Sequence, residues 1–353
     1  MKKMVKIIAV ALSIFMLVGI MAACNKNDGD KKEEGSSSSA ELPFKGREYI
    51  FDNPIKMMLI VKSTGYAAFR IYKMALEDQA RRYPNVTIEY KDAQFDVGNQ
   101  ITLINEAVTQ GYDAIMLEAM DPVALNAAVE EAEKAGVPVL TYNGPEATAV
   151  HSYHIAGADY SSGYTSGQLL DEMSKGRPNR TAIVLDCPAL QKPGARMGTG
   201  FQDYIATTDI KELECIGIEN WSPENAQVAM RDMLTKYGPG EITMVYCSTD
   251  DIAIGAMAAI DAAGRSNDGI LLWGNIGFPQ TLEAIRDGKM AGTMFSDQYV
   301  QFSVMFYAAL HHIALGLTSI TGGFDATPFI DMPLLPVTPD NVENIMAVSR
   351  WYS

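Results

Sequence analysis

Cysteine and histidine are scarce in this chain, with four of each among 353 residues. Beyond Cys24 the cysteines are Cys187, Cys215 and Cys247, an odd number that cannot complete a disulfide framework. They sit in or at the ends of apolar, strand-like runs, which fits buried thiols. Metal ligation by these three is the sharper alternative, but no CxxC spacing or nearby histidine supports it. His151 and His154 lack a carboxylate or cysteine pattern that would complete a site, and His311 and His312 are neighbours that face different ways on a helix. HExxH is missing, so no metal is expected. Also missing are a GxxxxGK(S/T) phosphate loop, a GxGxxG after a strand and a GxSxG nucleophile elbow. The chain is therefore expected to be no enzyme and to need no cofactor. Lys and Arg number 28 against 43 Asp and Glu, a net charge of −15. An acidic chain without basic stripes argues against a nucleic-acid partner.

What is present begins at the N-terminus. Lys2, Lys3 and Lys6 precede an apolar run from Ile7 to about Ala23, the length of a signal h-region and short for a membrane span. The run ends in Met21-Ala22-Ala23-Cys24, which resembles a lipobox and implies cleavage after residue 23 and lipidation of Cys24. The alternative is an uncleaved anchor helix with an incidental cysteine. Loss of the three lysines in 1–23 would take the net charge from −15 to −18. Residues 25–40 (NKNDGDKKEEGSSSSA) have almost no apolar side chains and cannot offset their ordering entropy by burial. A flexible tether of that length reaches about 20–25 Å. Residues 24–54 are thus expected to be a lipidated cysteine and linker, and lipidation would hold the protein on the extracytoplasmic face of the cell membrane.

From Lys56 onward short β-rich runs alternate with helical ones. Strands are expected at 57–61, 86–92, 114–117 and 137–142, with helices at 69–83, 99–110 and 122–135 between them. The rhythm restarts with helices at 162–174, 195–206, 223–237, 251–263, 279–287 and 299–315 and strands at 182–187, 213–218, 242–247, 270–273 and 292–295. Repeated βα units imply parallel sheets, and two such runs predict an α/β fold of two doubly wound lobes. In such sheets ligands bind beyond the carboxyl ends of the strands.

Those strand ends carry Tyr66 and Phe69, Glu118, Asn143, Arg196, Trp221, Asp250, Asn275, Ser296 and Asp297. Carboxylates and amides suit hydroxyl groups, and aromatic faces stack on C–H surfaces, so the set suits a polyhydroxylated ligand. Any one of them taken singly reads more readily as a cap or turn residue. Asp121 and Asp251 are expected to be helix caps.

The segments DAQFDVGNQITLINEAVTQGYDAIMLEAMDPVAL (92–125), AGVPVLTYN (135–143), GARMGTGF (194–201), NWSPENAQ (220–227), STDDIAIGAMAAI (248–260), SDQYVQF (296–302) and LPVTPDNVEN (335–344) carry a resemblance. In them the chain resembles the periplasmic sugar-binding proteins of the ribose/galactose type, the type I solute-binding fold, over nearly all its length after Lys56. The resemblance implies lobe 1 at 55–157 plus 297–328 and lobe 2 at 158–296 plus 329–353, joined by a three-strand hinge. It also implies a small carbohydrate-like ligand, an ABC permease partner and a monomer. Against the family pattern, Tyr66 and Phe69 stand for Asn and Phe, and Glu118 for Asn. Asn143-Gly144 replaces an Asp-Arg pair, Arg196 lies beside the expected Arg position, and Trp221 and Asp250 are retained in kind. Ile276 takes the place of a sugar-binding Asp, with Asn275 beside it, and Ser296 stands for a Gln before Asp297. The scaffold matches while the ligand shell departs from that of the commonest sugars. Two other roles stay open from the sequence, a ligand-sensing co-receptor for a chemoreceptor or histidine kinase and an exported enzyme.

Overall fold

The computed structural model describes residues 45–46, 48–65, 68–142, 151–157, 159–186, 196–319, 329–332 and 334–350. Cys24 and the polar linker up to residue 44 lie outside them, as do Tyr66, Asn143 and Cys187. Lobe 1 begins with α1 (Tyr49–Asp52), β1 (Ile55–Val61), α2 (Ala68–Ala80), β2 (Val86–Asp92), α3 (Val97–Thr109), β3 (Ala114–Glu118), α4 (Pro122–Lys134), β4 (Val139–Tyr142) and β5 (Tyr153–Gly157). Lobe 2 follows with α5 (Asp159–Ser174), β6 (Thr181–Asp186), α6 (Arg196–Ile205), β7 (Lys211–Gly217), a 3-10 turn over Glu219–Trp221, α7 (Pro223–Lys236), β8 (Met244–Cys247), α8 (Asp250–Ala262), β9 (Leu271–Ile276), α9 (Pro279–Arg286) and β10 (Gly292–Phe295). The chain returns to lobe 1 for α10 (Gln298–Leu315) and β11 (Phe329–Met332). It ends in lobe 2 with β12 (Leu335–Val337) and α11 (Val342–Val348).

The two sheets have one topology. Their orders are β2-β1-β3-β4-β5-β11 and β7-β6-β8-β9-β10-β12. All neighbours run parallel except β10 and β12, where Thr293 faces Val337 across an antiparallel pair. Parallel strands are buried on both faces, and the sequence of β1 shows why it can be one: of its seven residues only Lys56 is exposed. Met58 and Ile60 pack toward α3 and α4 with Ile104, Leu125 and Val129. Met57, Leu59 and Val61 pack toward α2 and α10 with Ile71, Tyr72 and Phe302. Lobe 2 repeats the arrangement, with Ala182, Val184, Phe201, Tyr246 and Trp273 on one face and Ile183, Leu185, Ile252 and Leu282 on the other.

Helix starts follow local chemistry. The Asp96 carboxylate accepts from Asn99 N–H, and Asp121 accepts from Val123 and Ala124 N–H with Pro122 behind it. Ser222 caps α7 in the same way. The cap of α8 is Thr249; Asp251, expected to cap it, instead lies in the first turn. In lobe 2, α5 and α6 approach too closely for side chains between them. A Cβ on Gly163 would overlap the Met197 carbonyl, and one on Gly200 the Tyr160 carbonyl.

Three expectations are corrected. The folded part starts before residue 55: Lys45 and Gly46 N–H donate to the Ala314 carbonyl at 3.1 and 3.0 Å, Ile50 is buried and Phe51 stacks on Tyr83. Backbone hydrogen bonds to the end of α10 and these apolar contacts place the described residues from Lys45 onward with the folded part. The last crossing between lobes falls between Met332 and Leu335 rather than at 329, because β11 pairs with β5 of lobe 1. Cys215, expected to be buried, is half-buried on the edge strand β7, whereas Cys247 is fully buried. The sequence rhythm does not predict β5, β11 or β12, strands of three to five residues.

Candidate functional site

The order reverses beside β1 and beside β6, and at such a switch point a crevice opens beyond the strand ends. The loops there bring the lobes together. Lys62 follows β1 in lobe 1, and its Nζ lies 4.9 Å from the centroid of the Trp221 ring in lobe 2. Trp221 is half-buried and has φ +50°, next to Asn220 at +55°. A left-handed pair of non-glycine residues is costly and turns the chain sharply between β7 and α7.

The acidic residues of the edge are engaged by the protein. Glu118 is buried at the end of β3, and its carboxylate accepts from Lys62 N–H at 3.1 Å, tying the β1 loop to β3. Its carbonyl accepts from the Gln100 amide at 2.8 Å. Asp92 ends β2 and accepts from Thr64 N–H, Thr64 Oγ1 and Gln94 N–H. Burial pushes the Asp92 carboxyl up, but those three hydrogen bonds outweigh it and leave the group below its ordinary value.

In lobe 2, Asp250 is wholly buried. Its carboxylate accepts from Gly277 N–H at 2.7 Å, Phe278 N–H at 2.6 Å and Thr293 Oγ1 at 2.8 Å. Burial drives its pKa up to about 7 against the downward pull of those donors. Asn275 is also wholly buried: its amide donates to Cys247 O at 2.8 Å and Tyr246 OH at 3.2 Å and accepts from Ser162 Oγ at 3.1 Å. Asp250 and Asn275 thus fix the loops after β8 and β9. Ile276, directly after Asn275, has φ +119°, a strained conformation for a β-branched residue.

The other expected site residues fall as follows. Phe69 packs edge-on against Tyr90 with ring centroids 5.9 Å apart, as part of the α2–β2 core. Ser296 is buried where the chain re-enters lobe 1, and its hydroxyl donates to Gln301 Oε1 at 3.3 Å. Asp297 is exposed and caps α10 through Val300 N–H. Arg196 opens α6, with its side chain outside the described residues, as are Tyr66 and Asn143 entirely. Glu118, Trp221, Asp250, Asn275 and Ser296 therefore share the carboxyl edges of the sheets, while Phe69 and Asp297 have local structural partners.

Sequence reasoning passed over Lys62, Asp92, Tyr142 and Gln298. Tyr142 ends β4, donates to Gln301 Oε1 at 2.8 Å and has its pKa raised by burial and then by Glu118. Each of the four stands at or just past a strand end, the one signal that could have flagged them. Elsewhere, His154 is buried with Nδ1 2.7 Å from Thr141 Oγ1. Among the described residues no cluster of three His, Cys, Asp or Glu side chains could hold a metal, and no helix is long and apolar enough to cross a membrane.

Two same-order α/β lobes with a charged and aromatic contact across their strand ends define a two-lobed binding protein. A family described as the periplasmic binding protein domain matches residues 57–317, and the chain belongs to it. It is 26% identical over 220 residues to the xylitol-binding protein of Mycolicibacterium smegmatis, spanning 62% of this chain and 61% of that protein's length. It is 26% identical over 306 residues to the ribose import binding protein of Bacillus subtilis, covering 83% and 88% of the two chains. The fold is similar to that of an ABC transporter solute-binding protein from Bacillus halodurans C-125 with bound myo-inositol. That match has a TM-score of 0.72 at 21% identity, over 84% of this chain and 98% of the other.

Proposed function

We propose that this protein is the extracytoplasmic solute-binding component of an ABC importer. It takes a sugar or sugar-like polyol between its lobes and delivers it to the permease. The observation that carries the reading is the meeting of Lys62 and Trp221 across the strand ends of two sheets of equal topology. Relatives named for ribose and xylitol support the ligand class. The lobes exchange between open and closed forms about the three crossings, and the ligand shifts the population to the closed form, which docks on the permease. The protein acts as a monomer held by lipid on Cys24 and returns its ligand unchanged.

A thermal-shift screen of ribose, xylitol, myo-inositol and other sugars and polyols tests the reading, because a ligand bound only by the folded state raises the melting temperature. At least one neutral carbohydrate should do so in a saturable way and be recovered intact. No shift across the whole panel would overturn the ligand class. Cys24→Ala should move the protein from the membrane to the soluble fraction, and unchanged membrane retention would remove the lipid anchor.

A further inference from the structure

We infer that Lys62 is a ligand-reading residue, and that the ligand is a sugar acid, a polyhydroxylated carboxylate, rather than a neutral sugar. The inference rests on the carbohydrate reading above and narrows it. Lys62 follows the strand at the switch point of lobe 1, and its ammonium reaches the aromatic face supplied by lobe 2. A ligand held between these two strand edges meets that ammonium. The group has three N–H donors and no acceptor. It forms no ion pair with the described residues, although 43 carboxylates are present in the chain.

Three carboxylates at the same edges already take protein donors. Glu118 takes Lys62 N–H, Asp92 takes three donors and Asp250 takes three. Those three work as loop ties, while the Lys62 ammonium pairs with no described carboxylate and is left to meet a ligand. Two further polar atoms stand ready at the edges. Ser248 directly follows β8 and is 6% exposed, and Gln298 opens α10 and is 3% exposed. Ser248 Oγ and Gln298 Oε1 have no hydrogen-bond partner among the described residues. A buried polar atom left unpaired is costly, so each fits a ligand group. The Lys62 ammonium suits a carboxylate, the Ser248 hydroxyl can donate to a ligand oxygen, and the acceptor Gln298 Oε1 suits a ligand hydroxyl.

The test pairs each neutral compound with its acid: ribose with ribonate and galactose with galacturonate. Affinities come from calorimetry on the wild type, Lys62→Met and Lys62→Gln. The wild type should prefer an acid over its neutral partner by about tenfold or more, the margin of one charge-assisted over one neutral hydrogen bond. Both variants should lose that preference, with affinity falling more for the acid than for its neutral partner. The two variants differ in shape, so a folding defect in one, seen by circular dichroism, leaves the other to decide. A wild type that binds neutral sugars and prefers them over acids overturns this inference and leaves the carbohydrate reading standing, as does an acid preference unchanged in both variants. Binding of neither set overturns both.

Discussion

The two lobes share a strand order but hold their strand-end loops differently. In lobe 1 the tie between Asp92 and Thr64 is near the surface, with both residues partly solvated, and the buried Glu118 reaches the β1 loop through Lys62 N–H. In lobe 2 they are interior. Asp250 and Asn275 are wholly buried, each with three hydrogen bonds, and the glycine contacts between α5 and α6 leave no room to adjust. The difference teaches that lobe 2 presents a preorganised wall and lobe 1 an adaptable one, so substitutions at the buried ties of lobe 2 should first cost stability, and those at the strand-end loop after β1 should first alter binding.

The comparison can be broken most sharply at Gly163. Gly163→Val forces α5 off α6 and should cost about 3 kcal/mol or more in chemical denaturation, at the upper end for overpacking. A stability within error of wild type would mean that lobe 2 is not rigid there. Asp250→Ala strands two N–H groups and a hydroxyl and should cost about 2–4 kcal/mol. Its pH dependence sharpens the point. The folded pKa of Asp250 is raised to about 7 from an ordinary 3.8, so its contribution is full below 3.8 and is lost as pH rises through 7. The stability gap between wild type and Asp250→Ala should therefore narrow from pH 4 to pH 7, and a gap that widens would reverse the sign.

Trp221→Ala bears on the face the lobes share. It should weaken ligand binding by about 1–3 kcal/mol through lost stacking and burial. Phe69→Ala should lower the melting temperature more than it lowers affinity, because Phe69 leans on Tyr90. The smallest effect is expected at Asp297→Ala, about 1 kcal/mol of stability from a lost helix cap, with ligand affinity unchanged. A large affinity loss there would return Asp297 to the binding site.

The fold was readable because its signals are local. Alternating apolar runs, Asp121-Pro122 and Ser222-Pro223 mark strands and helix starts within a few residues of themselves. The short strands β11 and β12 were not readable, since what makes Phe329–Met332 a strand is β5, far back in the chain. The candidate site was readable only as positions. That Glu118, Asp250 and Asn275 stand at strand ends follows from the βα rhythm. Which way a carboxylate is used depends on donors brought in by folding: Gly277, Phe278 and Thr293 lie 27, 28 and 43 residues beyond Asp250. Lys62 has the same difficulty, as its aromatic partner belongs to the other lobe.

The last crossing places one strand on the edge of each sheet, β11 beside β5 and β12 beside β10, only a few residues apart. A chain ending before Phe329 would uncover both edges at once. β5 and β10 would then present rows of unpaired N–H and C=O groups, ready to recruit strands from other molecules. Loss of this short tail should therefore appear first as self-association through sheet edges.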